Sequence, residues 1–413
     1  MMMNINIHIV YIYIYKYNIY YIINNNNKHR INIHTYIIMF IIPFILLRCT
    51  YALIFDIQRI WTNDNYSFPQ SFFTISSQLG EPPQRLTLKI SINTQFIWIL
   101  SSYSKDSGFN SENSSSYFLC QLIDYFHIST SELQGVMSTD YFRMNEDTPL
   151  KDCPFVLIDH KVPQKEHILK QLKYIDGIIG LSTSFDFRAW QYSLFESLER
   201  NRHITNRTFY FKYIKDNTQY QMIIDDKPEE LLLDENHFQF FNFANSRLGS
   251  KVSYTIDLDG MFFGYDRTGD LNHVKEFLKI DNKKILFSIE CDGLEVDETF
   301  YEKVKGKLFG EALSHCECDE VDNDEYKFIK CRDDFIRITE LNIVLVDWTY
   351  KFYPDEFWLN GNEKDDYKKI FPIVWRKDIV SYQYNVGHFF LKKYITYFDL
   401  DKSRIGIYTK RTS

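Results

Sequence analysis

Short hydrophobic runs, separated by turn-forming residues, follow one another along the chain beyond residue 53. They are rich in β-branched and aromatic side chains, which favours strands over helices. The predicted strands are Phe72–Ser76, Leu86–Ile92, Phe96–Leu100, Phe209–Tyr213, Tyr220–Ile224 and Tyr254–Leu258. Helices are predicted only at Ala189–Glu199 and Asp297–Gly306. Asp259-Gly260 predicts a two-residue hairpin and Asn360-Gly361 another turn, so the pattern indicates an all-β protein with few short helices.

Residues 1–52 differ from the rest of the chain. Residues 1–38 consist mostly of Ile, Asn and Tyr and lack the periodicity that would define a buried face. From a second start at Met39, the apolar stretch Phe40–Leu47 leads to Ala52, which ends a small-x-small triplet suited to signal peptidase. We therefore interpret residues 1–52 as a low-complexity leader with a secretory signal, and we expect a secreted, extracellular protein.

A signal anchor is the alternative interpretation of this leader. It would be built from residues 9–23 and would place Lys16 inside the membrane, which is energetically costly. Beyond the leader, no segment reaches the roughly 18 consecutive apolar residues of a spanning helix. No stable membrane span is therefore expected.

Length and charge narrow the choice further. The chain has 413 residues, which is more than one ordinary core can organise, so two large lobes are expected. Residues 1–52 hold four of the 47 basic residues and none of the 55 acidic ones, which leaves 43 basic against 55 acidic groups and a net charge of −12. Because an acidic body without a basic run repels phosphate backbones, nucleic acid is not expected as a partner.

A strand-loop unit occurs twice. In the first half, Ser91-Ile92-Asn93 is followed by Ile178-Ile179-Gly180, whose glycine lies 89 residues after Ser91. In the second half, Ser288-Ile289-Glu290 is followed by Asn385-Val386-Gly387, whose glycine lies 99 residues after Ser288. Recurrence at similar spacing indicates duplicated lobes, although the spacing alone is also compatible with coincidence. We place the two lobes at residues 53–225 and 226–413.

Several motifs resemble those of the pepsin-like aspartic proteases. Gly80-Glu81-Pro82-Pro83-Gln84 is similar to the Gly-Thr-Pro-Pro-Gln turn of that family, and Ser91 then stands where the family has the Asp of Asp-Thr-Gly-Ser. The segment Asp176–Ser182 resembles Asp-Gly-Ile-Leu-Gly-Leu-Gly, and Val386–Leu391 resembles Leu-Gly-Asp-x-Phe-Leu. The resemblance extends over residues 65–408. It implies the bilobal fold of peptidase family A1, with two duplicated β-lobes around a cleft.

The departures from the family pattern concern its chemistry. The resemblance implies two carboxylates that share a proton, but the equivalent positions hold Ser91 and Ser288. A hydroxyl is too weak a base to take a proton from water near neutral pH. The neighbouring Thr positions hold Ile92 and Ile289, and the Gly positions hold Asn93 and Glu290. No catalytic residue is therefore assigned, and Asp292-Gly293 is interpreted as a turn.

Further candidates for the cleft come from the same alignment. The Tyr position of the family's flap falls on Ile128, or on Tyr125 if a gap is allowed, while Trp98 is interpreted as a core residue. His388 follows the second glycine triplet and is expected to be a partly exposed loop histidine, with a Ser288/His388 nucleophilic pair as the alternative. The candidate cleft-lining residues are Ile92, Asn93, Trp98, Ile128, Ile289, Glu290 and His388.

Cysteines and glycosylation motifs fit a secretory route. Six cysteines remain after the leader, and we expect Cys331 to pair with Cys316 or Cys318 and Cys120 to pair with Cys153. Alternatively, zinc could be bound by the cluster His315-Cys316-Glu317-Cys318 with Cys331. Asn65, Asn113 and Asn206 lie in short glycosylation motifs, which predict a glycoprotein.

Three functional hypotheses follow. The first is a secreted pepsin-like pseudoenzyme that binds a peptide, a protein or an apolar ligand in the cleft. The second is an active aspartic-type endopeptidase, a hydrolase with a non-standard site, and the third is a structural or antigenic secreted protein. Whether the chain is an enzyme is left open. No metal or other cofactor is expected, since phosphate-loop, Gly-x-Ser-x-Gly and His-Glu-x-x-His motifs are absent. A monomer is expected.

Overall fold

The computed structural model describes the chain in segments that begin at residue 52. These segments are 52–62, 70–128, 131–158, 173–182, 193–215, 219–233, 237–243, 254–266, 273–315, 318–322, 326–332, 338–360, 369–377, 379 and 383–409. All of them belong to the second of two units, Ala52–Ser413. Strands dominate these residues and form two large sheets, which confirms the all-β prediction.

The first sheet has thirteen strands in the described part of the chain. They are β1 (Leu53–Thr62), β2 (Gln70–Leu79), β3 (Gln84–Ser91), β4 (Trp98–Leu100), β5 (Phe118–Ile128), β6 (Ser131–Arg143), β7 (Pro149–Ile158), β8 (Gly177–Gly180), β9 (Thr208–Lys215), β10 (Gln219–Ile224), β11 (Phe238–Asn242), β23 (Thr396–Asp399) and β24 (Arg404–Tyr408). Their order across the sheet is β11-β24-β23-β9-β10-β1-β2-β3-β8-β4-β7-β6-β5.

The second sheet has eleven strands in the same described segments. They are β12 (Thr255–Asp266), β13 (His273–Phe287), β14 (Leu294–Val296), β15 (Cys318–Asp322), β16 (Tyr326–Cys331), β17 (Ile338–Leu345), β18 (Trp348–Phe352), β19 (Leu359–Asn360), β20 (Lys369–Ile370), β21 (Ile373–Arg376) and β22 (Gln383–Val386). Each of the six strands predicted from the sequence overlaps an observed strand, namely β2, β3, β4, β9, β10 and β12.

Five α-helices accompany the sheets in the described segments. They are α1 (Leu194–Arg200), α2 (Glu229–Leu233), α3 (Glu298–Ser314), α4 (Pro354–Phe357) and α5 (His388–Lys393), and a 3-10 turn spans Ser111–Asn113. Helix α3 confirms the helix predicted at Asp297–Gly306 and extends it by eight residues at its C-terminal end. Asp297 caps the start of this helix by accepting the Phe300 N–H at 2.9 Å. None of the described helices is long and apolar enough to cross a membrane.

The prediction of a hairpin at Asp259-Gly260 is wrong. Strand β12 continues through both residues, with only a register shift between Leu258 and Gly260. It pairs with β13 on one side and β17 on the other, so it is a central strand with a bulge rather than the arm of a tight turn. The Asp259 carboxylate accepts the Asp347 N–H at 2.9 Å. The other predicted turn reaches Gly361, which lies outside the described residues.

The same pairing pattern occurs at both places where the sequence repeats. In the first half, β3 is parallel to β8, β8 is antiparallel to β4, and β4 is parallel to β7. In the second half, β13 is parallel to β22, β22 is antiparallel to β14, and β14 is parallel to β21. At Gly180 and Gly387, a Cβ atom would come within 2.3 Å and 2.2 Å of a carbonyl oxygen of the adjacent loop. Both units therefore need glycine for the same close approach.

The two halves share a sheet and a core. Strands β23 and β24 come from the end of the chain but join the first sheet, where β23 pairs with β9. Phe209 and Phe398 stack there with ring centroids 4.5 Å apart. One hydrophobic cluster includes residues of both repeated units, such as Ile90 and Ile285. The loops after β3 and β13 are thus held on a common apolar base.

Candidate functional site

Ser91 ends β3 and begins the first loop. Its carbonyl accepts the Leu181 N–H at 2.8 Å, which fixes the backbone beside β8. Its hydroxyl lies 2.9 Å from the Thr94 hydroxyl and donates a short hydrogen bond to the carboxylate of Glu290, from the second loop. Ser91 is buried, so its proton is committed to a partner inside the protein.

Ser288 occupies the equivalent position after β13. Its N–H donates to the Val386 carbonyl at 2.9 Å, and its hydroxyl accepts the Glu290 N–H at 3.1 Å. Ser288 is also buried. No hydrogen bond joins the hydroxyls of Ser91 and Ser288, which both belong to described segments. Each serine instead stabilises the backbone or a side chain around Glu290.

Glu290 forms an ion pair with Lys89 of β3. The Lys89 Nζ lies 2.8 Å from Oε2 of Glu290, and the two side chains are 6% and 29% exposed. The ammonium group also lies 5.5 Å from the ring centre of Phe72. Burial opposes ionisation of Glu290, but the Lys89 ammonium and the Ser91 hydroxyl outweigh it and hold the pKa of this carboxyl below its ordinary value.

Asp292 forms a second ion pair with the first half of the chain. It is 1% exposed and accepts a short hydrogen bond from the guanidinium of Arg59 in β1. The Ser71 hydroxyl of β2 donates to the same carboxylate oxygen at 2.9 Å, and Nε of Arg59 donates to that hydroxyl at 2.7 Å. Asp292 therefore lies in a bend, as predicted, but it also forms a buried ion pair between the halves.

The second carboxylate oxygen of Asp292 is in a different situation. Oδ2 is buried and has no hydrogen-bond partner among the described residues. Burial raises the pKa of Asp292 above its ordinary value, although Arg59 and Ser71 act in the opposite direction. Two carboxyl groups of one loop thus have pKa values shifted in opposite directions.

His388 is not the partly exposed loop residue that was expected. It begins α5, is 4% exposed, and its ring contacts the hydroxyls of Tyr213 and Tyr220, the latter at 3.3 Å from Nε2. Burial, together with the positive charges of Arg59 and Lys392, lowers the pKa of His388 well below its ordinary value. No hydrogen bond links it to Ser288 within the described segments, so the proposed Ser288/His388 pair is not formed.

The remaining candidate residues divide into core and surface. Ile92, Ile289 and Trp98 are almost fully buried, which confirms Trp98 as a core residue and corrects the assignment of all three as cleft-lining. Ile92 and Ile289 pack in the main hydrophobic cluster, and Trp98 packs in a smaller one that includes Val156. Asn93 is exposed, whereas the side chain of Ile128 lies outside the described residues.

The cysteines follow the prediction in part. Cys318 and Cys331 form a disulfide across β15 and β16, which is one of the two expected pairings of Cys331. The expected Cys120–Cys153 bond is wrong, because both thiols are free. These residues lie in β5 and β7, with β6 between them, and strands two places apart are separated by roughly 10 Å, beyond the reach of a disulfide.

The disulfide also bears on the zinc hypothesis. It consumes the thiols of Cys318 and Cys331, while Cys316 and Glu317 lie outside the described residues. Within the described part, no group of three metal-ligating side chains converges. Of the glycosylation motifs, Asn113 and Asn206 are exposed, and Asn65 lies outside the described residues.

The site favours ion pairing over proton transfer. In the described residues, no hydrogen bond joins two carboxyl groups, so the shared-proton arrangement of an acid dyad is not formed. Glu290 accepts a hydrogen bond from the Ser91 hydroxyl, but a carboxylate with a lowered pKa is a poor base for activating a hydroxyl. Arg59 and Lys89 instead neutralise the two acids.

Comparison with known proteins gives no family assignment. No protein-family model matches this chain, and no curated protein matches it either. The resemblance to the pepsin-like family is therefore an expectation from the sequence motifs alone.

Sequence reasoning missed the cations of this site. Arg59, Ser71 and Lys89 contribute from β1, β2 and β3. One signal was present: in β3 the polar residues Thr87, Lys89 and Ser91 alternate with apolar ones and so share a face. Nothing comparable in the sequence links Arg59 to Asp292, which are 233 positions apart.

Proposed function

We propose that this chain is a secreted, catalytically inactive protein of the pepsin-like aspartic protease family, which binds a peptide, a protein or an apolar ligand in the cleft between its two lobes. One observation carries the proposal. The two equivalent loop positions hold buried serines, and the two acids nearest to them are each paired with a cation from the first half.

The repeated strand pairing supports the family relation. Both units consist of a parallel strand pair, a central antiparallel strand and a glycine packed against the loop. Both loops open with Ser-Ile at the position where the resemblance places a catalytic Asp-Thr. Such a correspondence in sequence order, pairing and close packing supports a duplicated origin.

Loss of activity follows from the chemistry of these groups. Hydrolysis of a peptide by two acids needs one ionised carboxylate to deprotonate water and one protonated carboxyl to polarise the carbonyl. Ser91 and Ser288 supply neither. Glu290 is held ionised by Lys89, so it has no proton to donate at neutral pH.

Exposed groups of the two loops and of β5 supply a surface for binding. Asn93 is exposed, and the side chain of Glu290 is 29% exposed. The β5–β6 hairpin, which resembles the family's flap, exposes Phe118 and Leu119. Apolar and polar groups in this combination suit an extended peptide or a protein segment.

An active endopeptidase is the second candidate, because the pKa values of Glu290 and Asp292 are shifted in opposite directions, as in acid-base pairs. A proteolysis assay on denatured globin across acidic pH separates the two functions, with a pepstatin-type inhibitor as control. We expect no pepstatin-sensitive cleavage. Cleavage that is blocked by the inhibitor and abolished by both Glu290→Gln and Asp292→Asn would refute inactivity.

Binding is tested separately. A library of extended peptides is passed over the immobilised protein, and retained peptides are compared between the native chain, Asn93→Ala and the surface control Lys303→Gln on α3. We expect retention that is reduced by Asn93→Ala and unchanged by the control. Equal retention by all three proteins would place binding elsewhere.

A further inference from the structure

A cavity of about 460 Å³ is lined by residues of β1, β9, β10, α2 and α5 and by no residue of the two serine loops. Neighbouring side chains of three paired strands form its floor. Ile54, Ile223 and Tyr210 form one row across β1, β10 and β9, and Gln221 and Lys212 are neighbours in the next row. Helices α2 and α5 supply the walls. The volume falls in the range of small-molecule sites, roughly 300–1,000 Å³.

Tyr210 contributes a hydroxyl group to this cavity. The residue is only 6% exposed, and its hydroxyl has no hydrogen-bond partner among the described residues. The hydroxyl oxygen is not among the buried atoms that lack a partner, so it is accessible to solvent. A molecule bound in the cavity could therefore form a hydrogen bond with it.

The charges around the cavity are balanced. Asp226, Glu229 and Glu230 lie on the wall that includes α2, whereas Lys212 of β9 and Lys392 of α5 lie on other elements. With Lys227, which follows Asp226, the lining has three acidic and three basic side chains. None of the six forms an ion pair with another described residue.

Different charges act on Tyr210 and on Lys392 in this cavity. Tyr210 lies at the acidic end, because burial and the charges of Asp226, Glu230 and Glu229 raise the pKa of its hydroxyl. Lys392 lies at the basic end, where burial and the charge of Arg59 lower the pKa of its ammonium group. Leu391, Ile395 and Ile223 make the lining between the charges apolar.

We propose that this cavity binds a small zwitterion with an apolar body, such as an unblocked dipeptide, with its ammonium group toward the acidic residues beside Tyr210 and its carboxylate toward Lys212 and Lys392. A neutral zwitterion matches a lining of zero net charge better than an anion or a cation does. The Tyr210 hydroxyl accepts a hydrogen bond from the ammonium group, which is charge-assisted.

Isothermal titration of the full chain with leucylphenylalanine tests this site, beside the N-acetylated and the C-terminally amidated dipeptide. We expect saturable binding that is weakened by either blocking group. Tyr210→Phe keeps the ring and removes the hydroxyl, so it should weaken binding about 3–10-fold without changing the melting temperature. Lys303→Gln, on the surface of α3, should leave binding unchanged.

Two charge variants test the orientation. Glu230→Gln should weaken binding of the free dipeptide and reduce the ratio of its affinity to that of the acetylated form. Lys212→Gln should reduce the ratio of the free dipeptide's affinity to that of the amidated form. Absence of saturable binding to the native chain, or binding that is indifferent to Tyr210→Phe and both charge variants, would overturn the proposal. Displacement by a pepstatin-type ligand would also overturn it, because the ligand would then occupy the cleft of the proposed function.

Discussion

The two repeated loops have the same backbone frame but different polar chemistry. The first loop, Ser91–Thr94, closes on itself through the two hydroxyls and carries no charge. The second loop, Ser288–Gly293, carries Glu290 and Asp292, and both reach cations of the first half. The strand pairing around the loops is the same, so the difference arises in side chains alone.

Ion pairs couple the two repeated units to each other. In these two ion pairs of the described residues, the anions Glu290 and Asp292 come from the second half and the cations Lys89 and Arg59 come from the first. Such pairs gain little over well-packed apolar residues, but removing one partner leaves a buried charge. The junction therefore depends on both halves being present together.

Asp292→Ala should have the largest effect on the junction. It leaves the Arg59 guanidinium, which is 13% exposed, without its carboxylate, so we expect a loss of about 3–5 kcal/mol in the free energy of unfolding. Urea denaturation measures the change. The double variant Arg59→Met/Asp292→Leu removes both charges and should recover most of the loss, and a double variant as unstable as the single one would contradict the ion-pair interpretation.

Replacing Cys318 and Cys331 by alanine tests whether the second half needs covalent support that the first half lacks. The bond closes a loop with a sequence separation of 13, so the expected loss is about 3 kcal/mol at 25 °C on the chain-entropy view. Thermal unfolding of native and reduced protein provides the measurement. Cys153→Ala, at a buried free thiol of the first half, keeps this disulfide, so the reductant should destabilise it as much as it destabilises the native chain.

Replacing each loop serine by aspartate should destabilise the protein to different extents in the two loops. Ser91→Asp places a second carboxylate beside Glu290, so we expect a loss of about 1–3 kcal/mol from like-charge contact in a buried site. Ser288→Asp can still accept the Glu290 N–H and should be tolerated better. Chemical denaturation above neutral pH compares them, and equal losses would show that the loops are electrostatically equivalent.

The sequence predicted the local features of both halves and missed their connection. Short runs rich in β-branched and aromatic residues located β3 and β12, because strand preference depends on neighbouring residues. Asp259-Gly260 misled, since a bulge and a hairpin use the same residue types. The Arg59–Asp292 pair depends on how the two halves pack, and no pattern within either segment specifies that packing.

The pH dependence of stability should show the smallest but most specific difference within the second loop. The pKa of Glu290 is lowered on folding, so its stabilisation is present above its unfolded pKa of about 4.3 and is lost as pH falls through the folded value. The pKa of Asp292 is raised, so the folded state binds more protons and stability falls as pH rises from about 3.9 through the folded value. Denaturation midpoints across acidic pH should therefore lose the first slope in Glu290→Gln and the second in Asp292→Asn. If both variants keep the native profile, the two carboxyl groups titrate as they do in the unfolded chain, and the contrast between them disappears.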